Sequence, residues 1–510
     1  MNFKIFSKID SNLLTIFSNY FGKMWGFLSI IIATPIYIKY LGLESYAIIG
    51  IYTLFVAIIS LADAGIASAI TKEFSLNQTQ EYKINLLAKI EKVYFIIFFS
   101  ICVFIILLSN YLANNWVSAT NISVDDVKNY IILIGIGACI QMIASVYYGA
   151  IYGIGCQVVA NNYQIVWVTL KTIFVIFLLK FYSNSLYVFF TWQILCNSLY
   201  VIFLRFYVLG KIDTNGNLLV DKSFKIPKVV LSYIGGMSLI SVVAALNTQV
   251  DKIVVSSYFN LKYFGYYWVV SYLSQITIFI SIPLASFIFP LLSKNSEFHN
   301  GLIFNDILMS FIRLLYLVVI PFSFLLFFYS ENIILFWLKI SIEHAILIQM
   351  DFLIKFLIVG SLFFSLQLPF YYAFLAKSET KYIINQGLIQ LFIGVPILLF
   401  FSIRGMFEYI GVAWFLGNFL GYIYLVFLYH KKLSSFSLKE YFFDYLILPF
   451  CISLVIYGAG WGAYYVSNLS FLYFMIMSFC TSCLFVILIN NYKNKRKLFD
   501  LKIFYTFPKS

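Results

Sequence analysis

The chain has 510 residues, of which 62% are hydrophobic and only 11% are charged, and its mean hydropathy is +0.92. A soluble domain carries about 25% charged residues, and a soluble fold of this length could not bury the long uncharged apolar runs that recur here, so that class is excluded. The net charge of +13 lies mainly in short connections and near the C-terminus, which the positive-inside rule explains better than nucleic-acid binding does.

Long apolar runs dominate the chain from end to end. There are fourteen of them, at residues 17–39, 45–70, 91–113, 128–153, 158–182, 185–209, 228–256, 263–292, 306–330, 346–376, 380–402, 407–430, 443–466 and 470–490. Each is long enough to cross a bilayer as a helix, so the sequence predicts an all-α polytopic membrane protein with about 14 transmembrane helices. Segment 331–345 is apolar but too short to span, and it is expected to be an interfacial or re-entrant piece.

The distribution of Lys and Arg predicts the orientation. An even number of helices places both termini on one side of the membrane, and that side carries 24 of the 34 Lys and Arg residues, against 8 on the other. Positive charge is enriched in cytoplasmic connections. We therefore expect both termini to be cytoplasmic, together with the two longest connections, 71–90 and 210–227.

A short turn motif recurs along the chain. The sequence YLGLESYAI (Tyr40 to Ile48) aligns with YFNLKYFGY (Tyr258 to Tyr266) at an offset of 218 residues, and each copy lies between two apolar runs. An internal repeat of this size indicates two similar half-bundles. The predicted organisation is a six-helix lobe at 1–213, a second six-helix lobe at 214–432, and a terminal helix pair with a basic cytoplasmic tail at 433–510.

Signatures of catalysis and metal binding are missing from the sequence. There is no phosphate-binding glycine loop, and the three histidines, His299, His344 and His430, lie in loops or near helix ends. Cys480 and Cys483 have C-x-x-C spacing, but no second pair or nearby histidine completes a metal site. We expect neither an enzyme nor a bound cofactor or metal, so that activity depends on side chains facing a cavity between helices.

Three charged side chains in the first half of the chain stand out, because they lie away from the ends of their apolar runs, where a charge normally faces protein or water. Lys171 lies near the middle of its run, with Asn161 and Gln164 before it at helical spacing, and it is the strongest candidate for a cavity cation. Lys23 either faces the cavity or snorkels to the cytoplasmic interface. Asp63 either contributes to the site or forms a structural pair, with Lys23 as one possible partner, or a cap.

Polar residues in later runs give further candidates. Asn247 and Asp251 are four residues apart on the seventh run and predict a polar stripe. Alternatively, Asp251 forms an ion pair with Lys252 or Lys262 at the membrane interface. Arg313 in the ninth run is expected near the cytoplasmic surface.

The turn YIKYLGLESY, the L-x-D-x-G pattern of Leu61 to Gly65, and the segment NTQVDKIVVSSYFNLKYFGYY that begins at Asn247 form a pattern together with the run count and the repeat. This pattern resembles the polysaccharide-exporter branch of the MATE/MOP transporter superfamily, with the O-antigen (Wzx-type) flippases as the most similar type. The resemblance covers about residues 10 to 490.

The resemblance implies a V-shaped bundle of two lobes around a central cationic cavity. Its implied substrate is an oligosaccharide repeat unit on undecaprenyl pyrophosphate, moved from the cytoplasmic to the periplasmic leaflet of the bacterial inner membrane. Lys23, Lys171 and Arg313 would then hold the anionic groups, and Asn247 is a candidate amide for the sugars. The last two helices would leave a gap for the lipid tail, as in the related lipid II flippases.

The resemblance also implies coupling to an ion or proton gradient, for which Asp63 and Asp251 are the candidates. Membrane lipid, an O-antigen polymerase and a chain-length regulator are the further partners it suggests, and nucleic acid is not among them. A cation-coupled multidrug exporter of the same fold is the main alternative, although it needs acidic cavity residues. An integral membrane polysaccharide polymerase is less favoured, because no catalytic constellation or large outer loop is present.

Overall fold

The computed structural model describes residues 11–63, 65–76, 78–213, 221, 223–295, 301–433, 438–467 and 470–494. Within these ranges the regular elements are all helical. The α-helices are α1 (Ser11–Leu41), α2 (Leu43–Asp63), α3 (Ile66–Ser75), α4 (Gln80–Asn115), α5 (Val124–Gly153), α6 (Gln157–Thr169), α7 (Val175–Phe181), α8 (Leu186–Ile212), α9 (Lys228–Tyr258), α10 (Leu261–Ser274), α11 (Ile276–Lys294), α12 (Gly301–Phe328), α13 (Ser330–Leu338), α14 (His344–Ala376), α15 (Thr380–Ile403), α16 (Gly411–Leu433), α17 (Leu438–Glu440), α18 (Leu448–Val466) and α19 (Phe471–Asn494).

The structure confirms the predicted class. In the part of the chain that is described, twelve helical segments are long and apolar enough to cross a membrane. The two other predicted runs, at 228–256 and 470–490, are also helical and correspond to α9 and α19. The protein is therefore an all-α polytopic membrane protein, while the count of fourteen spans stays a prediction.

The second predicted run is divided into two helices. Helix α2 ends at Asp63, Gly65 has a left-handed φ of 99°, and α3 begins at Ile66. Most of the predicted connection 71–90 is helical as well, since α3 continues to Ser75 and α4 begins at Gln80. The connection outside the helices is therefore shorter than the predicted one, because its charged residues belong to the ends of α3 and α4.

The short apolar segment after α12 forms a helix of nine residues, α13, which ends at Leu338 and is followed by Lys339 with a left-handed φ of 52°. At a rise of about 1.5 Å per residue it is too short to cross a bilayer. Whether it enters the membrane stays a prediction.

The chain divides into two compact units, Met1–Trp268 and Val269–Ser510. In the first, α5 is the central helix and packs against α2, α3, α4 and α8. In the second, α14 has the same role and packs against α11, α12 and α16, while α18 and α19 pack on α12. The lobe boundaries that the sequence predicts at 213 and 432 concern the repeat and stay a prediction.

The connection between α8 and α9 is attached to the first unit. The backbone amide of Asp221 donates to Oδ1 of the buried Asn85 on α4 (2.7 Å), and the ring of Phe224 lies edge-on to Tyr82. The hydroxyl and backbone amide of Ser223 bond to the Asp221 carboxylate and hold its pKa below the usual range. This end of the connection therefore has a defined position on α4.

Candidate functional site

One face of α5 carries a row of uncharged polar side chains. Gln141, Ser145, Tyr148 and Tyr152 are spaced by four, three and four residues, and all are partly exposed on a helix whose span is mostly buried. This spacing places them on one face. We call this row the α5 polar stripe. Charges inside the apolar runs did not indicate this row, although the spacing of its polar residues was a usable signal.

Lys171 lies against Gln141, at the N-terminal end of the α5 polar stripe. Its Nζ is 3.4 Å from Oε1 of Gln141, to which the hydroxyl of Tyr52 also donates (3.2 Å). Among the described side chains, the ion pairs involve Glu91, Asp251 and Asp351 only, so no carboxylate within 4.0 Å neutralises Lys171. The half-buried ammonium group therefore lies in neutral polar surroundings, where it can attract an anion.

The backbone around Lys171 departs from the α-helical pattern. Residues Leu170–Phe174 form a π-helical turn between α6 and α7, and such turns are frequent at functional sites because they free backbone groups. Three consecutive carbonyls of the turn accept hydrogen bonds from side chains of other helices. The donors are Trp192 to Leu170 (2.9 Å), Gln193 to Lys171 (2.7 Å) and Tyr37 to Thr172 (2.7 Å). Helices α1 and α8 thus fix the backbone that carries the cation.

The other end of the α5 polar stripe contacts α6. The hydroxyl of Tyr148 lies 3.0 Å from Oδ1 of Asn161 and 2.8 Å from Oε1 of Gln164, and the hydroxyl of Tyr152 lies 2.8 Å from the same Asn161 oxygen. Asn161, Gln164 and Lys171 therefore all contact residues of the α5 polar stripe.

Helix α1 approaches this group closely. A Cβ on Gly22 would lie 3.6 Å from Cβ of Asn161, so the backbone of α1 passes beside α6 at this point. Lys23 is the next residue on α1, and its side chain lies outside the described residues. Its orientation toward the cavity or the interface, and its pairing with Asp63, therefore stay predictions.

Asp63 ends α2 beside the middle of the α5 polar stripe. Its carboxylate lies next to the side chain of Ser145 and the backbone amide of Ala67 in the first turn of α3. Its Oδ1 is buried and makes no hydrogen bond among the described residues. Asp63 and Lys171 thus contact the same face of α5, at positions one helical turn apart.

Asp251 has close partners within α9 and α10. Lys252 lies 3.1 Å from its Oδ1, and the hydroxyl of Tyr267 donates to its Oδ2 at 2.5 Å. Lys252 is buried and also donates to the carbonyl of Thr248 at 2.6 Å. The amide of Asn247 donates to the carbonyl of Val243 (3.0 Å). These contacts match the structural-pair alternative for Asp251 and involve none of the side chains around Lys171.

Arg313 lies in the second unit. Its Nε and Nη2 donate to the hydroxyl of Tyr445 at 3.0 and 2.7 Å, and its guanidinium lies 5.4 Å from the centre of that ring. Tyr445 belongs to a π-helical turn, Tyr441–Ile447, which precedes α18. Like Lys171, Arg313 is half-buried and forms no ion pair with a described carboxylate.

A buried amide cluster in the second unit was not expected from the sequence. The amide of Gln386 donates to Oε1 of Gln367 (3.1 Å), and the amide of Gln390 donates to Oδ1 of Asn418 (2.9 Å). Asn418 also donates to the carbonyl of Trp414 (2.8 Å). Because the cluster is largely self-satisfied, it joins α14, α15 and α16 and leaves little capacity for a ligand.

The fold of this chain is similar to that of solved transporter structures. No protein-family profile and no curated protein sequence matches the chain. Among solved structures, the lipid II flippase MurJ in its inward closed conformation aligns with a TM-score of 0.74 and 17% identity over 95% of this chain and 100% of that one. An inward-facing multidrug resistance MATE family transporter of the MOP superfamily aligns with a TM-score of 0.62 and 15% identity, over 80% of this chain and 96% of that one.

A MOP superfamily transporter from Pyrococcus furiosus also aligns, with a TM-score of 0.58 and 15% identity, over 82% of this chain and 96% of its own. At these identities the likeness concerns the fold alone. The chain has the fold shared by the lipid II flippase MurJ and the MATE transporters of the MOP superfamily.

Proposed function

We propose that this protein is a flippase for undecaprenyl-pyrophosphate-linked O-antigen or polysaccharide repeat units, which it moves from the cytoplasmic to the periplasmic leaflet of the bacterial inner membrane. The likeness to MurJ supports a lipid-linked substrate, since the two folds match over 95% of this chain, whereas the MATE transporter matches over 80%. In this proposal both termini are cytoplasmic, and the protein works without a catalytic group or cofactor.

The observation that carries the proposal is that Lys171 lies in a membrane helix without a carboxylate partner among the described residues. A lysine in a membrane helix is costly, and it usually either pairs with a carboxylate or serves a transport path. Lys171 has no such pair among the described residues, and its contacts are Gln141, Trp167 and Tyr52. Phosphate oxygens form strong charge-assisted hydrogen bonds with an ammonium group, so a pyrophosphate head group fits this position.

The neutral polar side chains near Lys171 suit the sugars of such a substrate. Hydroxyl and amide groups of Tyr148, Asn161 and Gln164 lie on the same polar surface, and each can exchange its present hydrogen bond for one to a sugar hydroxyl. Lys23 and Arg313 are proposed as further cations for anionic groups, and Asn247 as a further amide.

An apolar crevice in the second unit suits a short part of the lipid tail. It has a volume of about 180 Å³ and lies between α12, α14 and α18, with Phe324, Phe328 and Leu454 among its lining residues. The side chains that line it are almost all hydrocarbon, and Ser323 is the exception. An isoprenoid chain in this crevice would remain in an apolar environment while the head group crosses.

Coupling to an ion or proton gradient is part of the proposal, with Asp63 and Asp251 as the candidate groups. Asp63 is the stronger of the two, because its Oδ1 has no described hydrogen-bond partner whereas Asp251 pairs with Lys252. An O-antigen polymerase and a chain-length regulator are the proposed protein partners.

The test is deletion of the gene, with the surface glycan analysed by gel electrophoresis and the wild-type chain supplied on a plasmid. We expect the deletion strain to lose its long-chain glycan and to accumulate lipid-linked repeat units, and the plasmid to restore the ladder. An unchanged ladder in a strain without a redundant transporter would refute the proposal. Increased drug sensitivity with a normal ladder would instead favour a multidrug exporter, the function of the MATE neighbour.

A further inference from the structure

The indole of Trp167 lies between the ammonium group of Lys171 and a second aromatic ring. Trp167 is one helical turn before Lys171, whose Nζ is 4.2 Å from the centre of the indole. The ring of Tyr200 stacks on the indole with a centroid separation of 4.6 Å and an interplanar angle of 11°. Because Tyr200 covers one face, the ammonium group occupies the other.

The edge of the indole is fixed as well. Its Nε1 donates to Oδ1 of Asn197 at 3.0 Å, and the amide of Asn197 donates to the hydroxyl of Tyr52 (3.1 Å) and to the carbonyl of Gly137 (2.9 Å). Asn197 is fully buried. Helices α2, α5 and α8 thus hold the indole in one orientation, and Lys171 lies against a rigid surface.

This arrangement attracts the cation without neutralising it. The negative face of an indole attracts an ammonium group, but it offers no charged acceptor that would occupy the three N–H bonds. The only described acceptor within 3.5 Å of Nζ is Oε1 of Gln141, at a long 3.4 Å. Lys171 therefore keeps hydrogen-bonding capacity that a carboxylate partner would have consumed.

We propose that Trp167 is a positioning residue that presents Lys171 to an anionic phosphate or diphosphate group, with Tyr200 and Asn197 holding the indole in place. This inference rests on the proposed function and assigns the head-group contact to one pair of side chains. A weak partner suits transport, because the cation must bind the anion on one side and release it on the other.

The test measures binding of farnesyl diphosphate to the full-length protein in nanodiscs, with glucuronate as a second probe to separate diphosphate from sugar carboxylate. The variants are Trp167→Phe, Trp167→Leu, Lys171→Gln and the double variant Trp167→Leu/Lys171→Gln. Trp461→Leu is the matched control, because Trp461 lies on α18 in the second unit and contacts Tyr465 rather than Lys171. Thermal unfolding of each variant identifies those that fail to fold.

We expect Trp167→Leu to weaken diphosphate binding by about three- to tenfold, and Trp167→Phe, which keeps an aromatic face, by less than about threefold. Lys171→Gln should weaken it by about tenfold or more. The double variant should bind within about twofold of Lys171→Gln, because the indole acts through the lysine. Trp461→Leu should bind like the wild type.

Different outcomes separate this inference from the proposed function. If the wild type binds neither probe, or if Lys171→Gln binds diphosphate normally, the head-group site of the proposed function is wrong. If Lys171→Gln loses binding while a folded Trp167→Leu retains it, only the positioning role is refuted. If the losses in the double variant add, Trp167 acts independently of Lys171, which also refutes that role.

Discussion

A Cβ built on Gly50 would lie 3.0 Å from Cδ2 of Trp268, and the two residues are 218 positions apart. This is the offset between the two copies of the turn motif, so equivalent positions of the proposed repeat lie against each other. Gly265 of the second copy makes a similar approach to the first, since its Cβ would lie 3.0 Å from the carbonyl oxygen of Leu43. The repeat therefore places a small residue of one copy, Gly50, against a large residue of the other, Trp268, and the missing side chain of Gly50 makes room for the indole ring.

We therefore expect Gly50→Leu to destabilise the protein by about 1–3 kcal/mol, since the added side chain must displace the rings of Trp268 and Phe264. The measurement is thermal unfolding in detergent or nanodiscs. Gly26→Leu is the control, because no atom of the described residues lies within 4 Å of the Cβ position of Gly26. Equal stability of the two variants would contradict the prediction.

Substitutions at Gly65 and Gly42 distinguish the stability cost of backbone strain from that of steric overlap. Both have a left-handed φ, 99° and 83°. A Cβ on Gly65 would lie 2.5 Å from the carbonyl oxygen of Ile234, whereas a Cβ on Gly42 would meet no atom of the described part of the chain within 4 Å. We expect Gly42→Ala to cost about 1–2 kcal/mol from conformation alone. Gly65→Ala should cost clearly more, because α2 and α9 must also move apart. Unfolding measurements that rank the two variants in the opposite order would show that this contact is not made.

Hydropathy alone was sufficient to predict the helices, because the bilayer requires a helix wherever about 20 apolar residues follow one another. It did not predict the break between Asp63 and Ile66 or the π-helical turn at Lys171. Both depend on tertiary contacts, namely the approach of Gly65 to Ile234 and the donation from Gln193 to the Lys171 carbonyl. The pattern of apolar residues within one chain segment carries no information about either of these contacts.

The sequence likewise predicted only part of the candidate site. Charge inside an apolar run identified Lys171 and Asp63, because burying a charge is costly and therefore informative. The α5 polar stripe and the indole of Trp167 carry no formal charge, and their relevance depends on which residues of α6 and α8 they meet. For Asp251 the sequence offered a site and an ion pair, and the pair with Lys252 is what the structure contains.

The role proposed for Lys171 predicts that Lys171→Ala lowers flippase activity by at least about tenfold, because a charge-assisted hydrogen bond to the substrate contributes about 1.5–3 kcal/mol. Lys171→Arg should retain part of the activity. Rescue of the surface-glycan ladder in the deletion strain is the measurement, with protein levels checked by immunoblot.

Lys180→Ala is the matched control for Lys171. It lies on α7, which continues the same helical span, and its side chain is exposed and contacts the ring of Phe181. We expect full rescue by this variant. Full rescue by Lys171→Ala as well would remove Lys171 from the site.

The proposed coupling role of Asp63 predicts that Asp63→Asn folds normally but loses the dependence of transport on the proton gradient. The substitution keeps the shape of the side chain and removes a carboxylate whose Oδ1 has no described hydrogen-bond partner, so the free energy of unfolding should change by less than about 1 kcal/mol. Transport into vesicles at different external pH is the measurement. An unaltered pH dependence would exclude Asp63.

Asp251→Asn distinguishes the second coupling candidate. It leaves the buried ammonium group of Lys252 without its charged partner, and breaking such a pair costs about 3 kcal/mol. We therefore expect a loss of thermal stability before any specific loss of coupling. A stable Asp251→Asn protein with transport independent of pH would make Asp251 the coupling group.

Gln193 predicts a link between the π-helical turn and the position of Lys171. Its amide donates to the Lys171 carbonyl at 2.7 Å, and the residue is only 2% exposed. Gln193→Leu keeps most of the volume but leaves that carbonyl unsatisfied in a buried position, at a cost of about 1–3 kcal/mol. Trp192→Phe removes the corresponding donor to the Leu170 carbonyl, but Leu170 is exposed and the loss should be smaller. Because the turn also orients the Lys171 side chain, Gln193→Leu should weaken diphosphate binding more than Trp192→Phe does. Normal diphosphate binding by a folded Gln193→Leu protein would show that the turn does not position the cation.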